Sequence, residues 1–203
     1  MSLKPEIRYT EAEYLEMELA AEEKHEFFEG EIYAMGGASF AHAQLASNVV
    51  LHLGSRLRGG PCRVLFSDLR VKVSASGLYT YPDAVVVCGD PQLEKPGDTL
   101  TNPTLLVEVL SQSTETKDRG WKFQQYQKIP SLQEYLLVSQ ITPRLELFTR
   151  QSDGRWLYTA AEGLEATVPL TSLGCNLQLS AVYEKVEGLR EPSAWYEAEP
   201  ATA

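Results

Sequence analysis

Leu78-Tyr79-Thr80-Tyr81-Pro82-Asp83-Ala84-Val85-Val86-Val87-Cys88 closes on an unbroken apolar run, and Leu105-Leu106-Val107-Glu108-Val109-Leu110 repeats that character further along the chain. A strand reads this way when both of its faces are buried, because neither face then needs polar residues. The two segments therefore belong to the middle of a sheet that is covered on both sides. Each carries a carboxylate, Asp83 just before its valines and Glu108 within its strand. A lone buried carboxylate is costly unless it is paired, protonated or bound to a cation. If the strands are neighbours, the two acids meet at one end of the sheet and leave oxygen ligands and water for a Mg²⁺ ion. The alternative is an ordinary buried acid held by hydrogen bonds or an ion pair, for instance with Arg70.

Around this pair the chain alternates helices and strands. Thr10-Glu11-Ala12-Glu13 has the form of a capping box, and Tyr14, Leu15, Leu19 and Ala21 behind it suit an amphipathic helix ending near Lys24. Phe27 to Tyr33 reads as a hairpin around Glu29-Gly30. From Ser39, Ala41, Leu45, Val49, Leu53 and Leu57 recur every fourth position, which lays one apolar stripe along a helix stopped by Gly59-Gly60. Strands are predicted over 63–66, 69–73, 79–88, 104–110, 134–138 and 144–149, the last turning at Ser152-Asp153-Gly154 towards Trp156. Residues 90–103 read as a loop and 118–128 as a helix ended before Pro130. The class is α/β (α+β), a mixed central β-sheet flanked by helices.

With 203 residues, 43% hydrophobic and 23% charged, the chain fits one globular domain, predicted over 1–188 with a flexible C-terminal tail over 189–203. It lacks both an apolar run of membrane-spanning length and the apolar block of a secretory signal at Met1 to Thr10, which points to the cytoplasm and to no membrane partner. Cys62, Cys88 and Cys175 lack Cys-x-x-Cys spacing and read as buried reduced thiols. A net charge of -10 argues against a nucleic-acid partner, but the distribution is uneven. Residues 11–31 hold nine Glu and one Lys, whereas 56–72 and 117–128 together hold nine Lys or Arg against Asp68 and Asp118. These nine are Arg56, Arg58, Arg63, Arg70, Lys72, Lys117, Arg119, Lys122 and Lys128; they are expected to include a positive rim around the carboxylates, unless they simply solvate ordinary faces. No Gly-x-Ser-x-Gly elbow, P-loop or Gly-x-Gly-x-x-Gly turn supports a serine hydrolase or a nucleotide-binding reading.

The ordered series Tyr81-Pro82-Asp83-Ala84-Val85-Val86-Val87, Val107-Glu108-Val109-Leu110-Ser111, Asp118-Arg119-Gly120-Trp121-Lys122-Phe123-Gln124-Gln125-Tyr126 and Glu134-Tyr135-Leu136-Leu137-Val138 resembles the Uma-two family of restriction-endonuclease-like proteins with the PD-(D/E)xK motif. Phe28-Glu29-Gly30-Glu31-Ile32-Tyr33-Ala34-Met35, His42 and Ser67-Asp68-Leu69-Arg70-Val71 add to the resemblance, which covers roughly residues 10–180. It implies a metal-dependent endonuclease that hydrolyses phosphodiester bonds of DNA with Mg²⁺ (or Mn²⁺), Asp83 and Glu108 being both catalytic and metal-binding. It departs from the motif at Leu110, where the motif has its lysine. Lys122, on the following helix where the resemblance places a lysine, is the preferred substitute and the third catalytic residue; Lys72 on an earlier strand is the other candidate. His42 could orient a phosphate or merely support the fold. Glu29 and Asp68 match family positions and could extend the acidic cluster, though Glu29 suits a turn equally well. Arg70 and Arg119 are expected to contact nucleic acid.

Two rival functions remain. One is a catalytically weak or inactive nuclease fold acting as a nucleic-acid or protein binding module, favoured by Leu110 and the acidic charge. The other is a phosphoesterase for small nucleotides, which needs the metal but no basic groove. A homodimer is suggested by analogy with nucleases that cut both strands.

Overall fold

The computed structural model describes residues 7–95 and 98–190. The chain runs through α1 (Glu11–Ala20), β1 (His25–Phe28), β2 (Glu31–Ala34), α2 (Phe40–Arg56), β3 (Cys62–Phe66), β4 (Val71–Val73), β5 (Leu78–Thr80) and β6 (Ala84–Cys88). It continues with β7 (Leu93–Glu94), β8 (Thr99–Leu100), β9 (Leu105–Val109), α3 (Glu115–Lys117), a π-helical turn (Asp118–Lys122) and α4 (Phe123–Tyr126). The last elements are β10 (Glu134–Val138), β11 (Arg144–Arg150), β12 (Trp156–Glu162), β13 (Thr167–Leu170), β14 (Cys175–Gln178) and α5 (Leu179–Val182).

The central sheet has the order β12-β11-β10-β9-β6-β3. It is mixed: β9 and β10 run parallel while their neighbours pair antiparallel. Both faces are covered, as the apolar runs predict. Ala84 and Val86, Leu105 and Val107, and Leu136 and Val138 face a core completed by Leu45, Val49 and Leu53 of α2 with the β13–β14 hairpin and α5. Val85 and Val87, Leu106, and Tyr135 and Leu137 face a second core under β4, β5 and α4. There a second sheet, β2-β1-β5-β4-β8-β7, closes the other side.

Local chemistry fixes the ends of the elements. The Thr10–Glu13 capping box is formed, and the Ser39 side chain accepts from the His42 N–H at the start of α2. Glu29 and Gly30 both have positive φ (49° and 87°), as a tight two-residue hairpin turn requires. That conformation makes Glu29 a turn residue, exposed at the hairpin tip.

Several expectations are corrected. The segment 79–88 is two strands in different sheets, because the chain crosses from β5 to β6 through Tyr81-Pro82-Asp83 and Pro82 has no N–H to give a ladder. The first helix stops at Ala20, where Ala21 turns extended. The helix expected over 118–128 begins at Glu115, passes through the π turn and ends at Tyr126. The 90–103 loop contains β7 and β8. Cys62 and Cys88 are joined as a disulfide across the β3–β6 pair instead of standing as reduced thiols; the register sets them opposite each other, which spacing in sequence could not reveal. The tail expected from residue 189 lies outside the described residues except for Leu189, which packs on the first core, and Arg190, whose N–H bonds the Ile141 carbonyl. Among the described residues no helix is long and apolar enough to cross a membrane.

Leu136 lies in the middle of the central sheet with no exposed surface. Leu136→Ala should cost about 2–5 kcal/mol, read as a lower urea midpoint with an unchanged slope. A loss below about 1 kcal/mol would mean that the site can collapse, against the close packing described for this layer.

Candidate active site

Ala84 pairs with Val107 and Val85 with Leu106 across the antiparallel β6–β9 ladder, so one further step in the same register sets Asp83 opposite Glu108. Side chains alternate along a strand, and Val85 and Leu106 point to the second core, so both carboxylates share that face. They open into one cleft of about 1620 Å³ between the sheet end, the π turn and the segment 33–39.

Asp83 is held on both oxygens. Oδ2 accepts the Val109 N–H at 2.7 Å, and Oδ1 lies 2.8 Å from His42 Nε2. The imidazole is oriented in turn by Gln140. Gln140 Nε2 donates to the Leu110 carbonyl at 2.8 Å and reaches His42 Nδ1 at 3.2 Å, while its Oε1 accepts from Ser39 Oγ. An N–H facing Nδ1 assigns the proton to Nε2, so His42 donates to Asp83. Burial opposes charge on His42, but the Asp83 bond and charge outweigh it and raise its pKa. Charging Nδ1 would still require Gln140 to turn over, which sets its oxygen against the Leu110 carbonyl and loses that bond. His42 therefore supports Asp83 in this arrangement.

Glu108 is met from above by Lys122. The π turn widens the helix by one residue and aims both Asp118 and Lys122 inward, where they are 2% and 6% exposed. The Lys122 ammonium lies 3.1 Å from Glu108 Oε1, 2.9 Å from Glu26 Oε1 and 3.5 Å from Asp118 Oδ1. Glu108 Oε1 also accepts the Tyr126 hydroxyl at 2.7 Å, so among the described residues both of its hydrogen bonds fall on one oxygen. Leu110 packs into the second core, filling the space beside Glu108 that a strand lysine would use. An exposed helix lysine is thus the wrong description of Lys122, which is buried and ion-paired.

Glu26 completes the cluster from β1. Thr80 Oγ1 donates to its Oε1 at 2.5 Å and Lys117 Nζ to its Oε2 at 2.7 Å. Burial pushes the Glu26 carboxyl up, but Lys122, Lys117 and Thr80 outweigh it and hold it down at about 2. Glu108 goes the other way. Burial pushes it up to about 8 despite Lys122, with Asp118 and Asp83 adding repulsion. Asp118 is likewise raised by burial, and among the described residues its Oδ1 meets Lys122 only at ion-pair distance, without a hydrogen bond. Lys122 is opposed by burial but held protonated, well above the ordinary lysine range, by Glu108, Glu26 and Asp118. The cluster is therefore rich in carboxylates relative to the cations that face it.

That imbalance, with two carboxylates opposite each other at a cleft, suits a hard divalent cation. Mg²⁺ is commonly bound through one or two carboxylates while it keeps several waters. Asp83 and Glu108 are the residues that could hold it; among the described residues no group of three or more His, Cys, Asp or Glu has ligating geometry.

Other expected site residues lie elsewhere. Lys72 is paired with Glu11 and Glu94 on the second sheet, outside the cleft. Asp68 is an exposed turn residue paired with Lys24, and Glu29 stands at its hairpin tip. Arg70 is buried, bonds Thr99 and Tyr81 and packs over the rings of Tyr14 and Tyr79, so it braces the second sheet and does not line the cleft. Arg119 does line it, tied to Glu115 and Glu146. The expected positive rim is not formed as predicted. Lys117, Arg119 and Lys122 reach the cleft, but Arg56, Arg58, Arg63, Arg70, Lys72 and Lys128 do not. The reason is strand direction: antiparallel β3 begins where β6 ends, so Arg63 sits opposite Val87 at the end away from Asp83. Among the described residues the cleft is lined by seven acidic and six basic side chains, near balance rather than positive.

Glu26, Asp118, Tyr126 and Gln140 escaped the sequence reading. Glu26 directly precedes the apolar pair Phe27-Phe28, and Asp118 stands four residues before Lys122, a spacing that puts both on one helix face. Gln140 left no signal, because its role depends on a contact 98 residues away.

Residues 11–181 match the Uma2 family, described as "Putative restriction endonuclease". Two uncharacterized proteins of Synechocystis sp. are similar: slr1290, 41% identical over 84% of this chain and 89% of its own, and sll1609, 38% identical over 78% and 90%. The structure also resembles the crystal structure of "a putative nuclease belonging to DUF820" from Anabaena variabilis, with a TM-score of 0.68 at 17% identity, covering 86% of this chain and 97% of that one.

Because Glu108 titrates higher when folded than in an unfolded chain, it favours folding less as pH rises from about 4.5 towards about 8. Glu108→Gln should therefore raise Tm in the metal-free protein at pH 8, by roughly 2–4 °C for each kcal/mol recovered. The gain should shrink at pH 5. Thermal melts with a chelator at both pH values check this; an unchanged or lower Tm at pH 8 would show that Glu108 is not held at a cost.

Proposed function

The chain belongs to the Uma2 family, a restriction-endonuclease-like family in sequence and fold, and from that premise we propose that its cleft hydrolyses phosphodiester bonds of DNA with a Mg²⁺ or Mn²⁺ ion held by Asp83 and Glu108. One observation carries the reading: Asp83 and Glu108 face each other across neighbouring strands at the cleft, with the Lys122 ammonium 3.1 Å from Glu108.

Each side chain has work to do in such a reaction. Asp83 is presented in one orientation by the Val109 N–H and His42, so little of its freedom remains to be lost on binding. Glu108 keeps Oε2 clear of hydrogen bonds among the described residues, an oxygen free to serve a cation. A bound divalent cation supplies a Lewis acid for a phosphoryl oxygen and water of lowered pKa. Lys122 brings a fixed positive charge that offsets charge developing on the phosphate and orients the attacking water. Arg119 and Lys117 also line the cleft, but each is paired with acids, so flanking phosphates would have to compete with Glu115, Glu146 and Glu26 for them.

A second reading, a nuclease fold used for binding without turnover, is favoured by Leu110 and by the near balance of charge around the cleft. Metal titration with plasmid cleavage separates the two. With Mg²⁺ or Mn²⁺ the wild type should cleave plasmid DNA. Asp83→Ala should lose both cation affinity and cleavage. Lys122→Met, chosen to keep volume at a buried position, should retain cation affinity and lose cleavage by at least about 100-fold. Absence of cation binding by the wild type would favour the binding module, and undiminished cleavage by Lys122→Met would remove the lysine from the reaction.

A further inference from the structure

A lysine on β9 would be placed by the sheet itself. Lys122 instead arrives from a helix on a flexible four-carbon stem, so its position is set by what its ammonium touches. Three carboxylates touch it, and they differ as anchors. Glu108 is itself the proposed cation ligand, so its charge is shared once the site is loaded. Asp118 sits on the same π turn, is 3.5 Å away and moves with Lys122. Glu26 comes from another element, approaches to 2.9 Å and has supports of its own. Thr80 and Lys117 hold its two oxygens, and β1 is paired with β2 on one side and β5 on the other.

We propose that Glu26 is a positioning residue for phosphodiester hydrolysis, fixing the Lys122 ammonium beside Glu108 in place of the strand lysine that Leu110 replaces. This rests on the proposed function of the cleft. The carboxylate cannot be exchanged for its amide without conflict. Oε1 accepts from Thr80 and faces Lys122, while Oε2 accepts from Lys117, and an amide must turn its N–H₂ group against one side or the other. Thr80 becomes part of the device, because its buried hydroxyl aims Glu26. The N-terminal hairpin sheet then belongs to the site and is more than a cover for the second core.

The test compares wild type, Glu26→Gln and Thr80→Val for plasmid cleavage with Mn²⁺, Mn²⁺ affinity by calorimetry, Tm and metal-free crystal structures. Both variants should bind Mn²⁺ as the wild type does, because Asp83 and Glu108 remain. Their kcat should fall roughly tenfold to a hundredfold with KM unchanged, as expected when a supporting partner is lost. The crystal structures should show the Lys122 ammonium drawn away from Glu108. Glu26→Asp, which restores charge on a shorter stem, should recover part of kcat. If Glu26→Gln does not fold, Thr80→Val carries the comparison, since it keeps every charge and nearly the same shape. Wild-type kcat in a folded variant, or Lys122 unmoved in its structure, overturns the positioning role. If the wild type itself cleaves no nucleic acid, the proposed function fails instead, and the Lys122 displacement in the metal-free variants still decides what Glu26 does.

Discussion

A single ammonium group, buried among three carboxylates, ties the parts of this molecule together. Lys122 joins the central sheet at Glu108, the second sheet at Glu26 and its own π turn at Asp118. Burying a charge is expensive, and its partners repay that cost only with good geometry. The two sheets and the helical segment must therefore meet in one arrangement for the cluster to be satisfied. The apolar cores on either face of the central sheet bring the layers together, but apolar contact is not directional. The charged cluster sets how they meet at the cleft.

The cluster is satisfied unevenly, and the unevenness is informative. Glu26 is held far below the usual carboxylate range, whereas Glu108 is pushed above it and Asp118 keeps an oxygen without a hydrogen bond among the described residues. A purely structural network would gain from closing these gaps. Perturbed acids gathered in a cleft are instead common where chemistry is done. Asp83 shows the complementary arrangement, with both oxygens engaged through Val109 and the Gln140–His42 relay, so one acid of the facing pair is held on both oxygens and the other, among the described residues, on one. The balance of charge around the cleft matters as well. Affinity for polyphosphate rises with the number of basic contacts, and several basic side chains here are already committed to neighbouring acids.

Much of the fold was legible in the sequence because its signals are local. The apolar runs at 84–88, 105–110 and 134–138 marked strands covered on both faces, and the fourfold repeat from Ala41 to Leu57 marked the helix that covers one of them. The capping box at Thr10 and the Glu29-Gly30 turn need no contacts beyond a few residues. Asp83 and Glu108 stood out for the same reason, as single charges in apolar strand sequence. What failed was whatever depended on direction or pairing. The basic stretch 56–72 looked like part of a groove, but antiparallel β3 carries Arg63 to the opposite end of the sheet. The disulfide required the register of β3 against β6.

By itself the sequence determined the buried strands, the helix that backs them and the two acids that interrupt apolar strand sequence, since periodicity and burial are properties of short segments; that the acids face each other came from the β6–β9 register. The sequence, through the resemblance, favoured Lys122 over Lys72, but only the tertiary structure shows what surrounds its ammonium. Leu110 removes the lysine from the strand, and a side chain on a long flexible stem can be placed only by partners from elsewhere in the chain. Those partners, Glu26 from 96 residues earlier and Asp118 on a turn wound as a π-helix, meet Lys122 because two sheets close over one another. No pattern in the separate segments encodes that meeting.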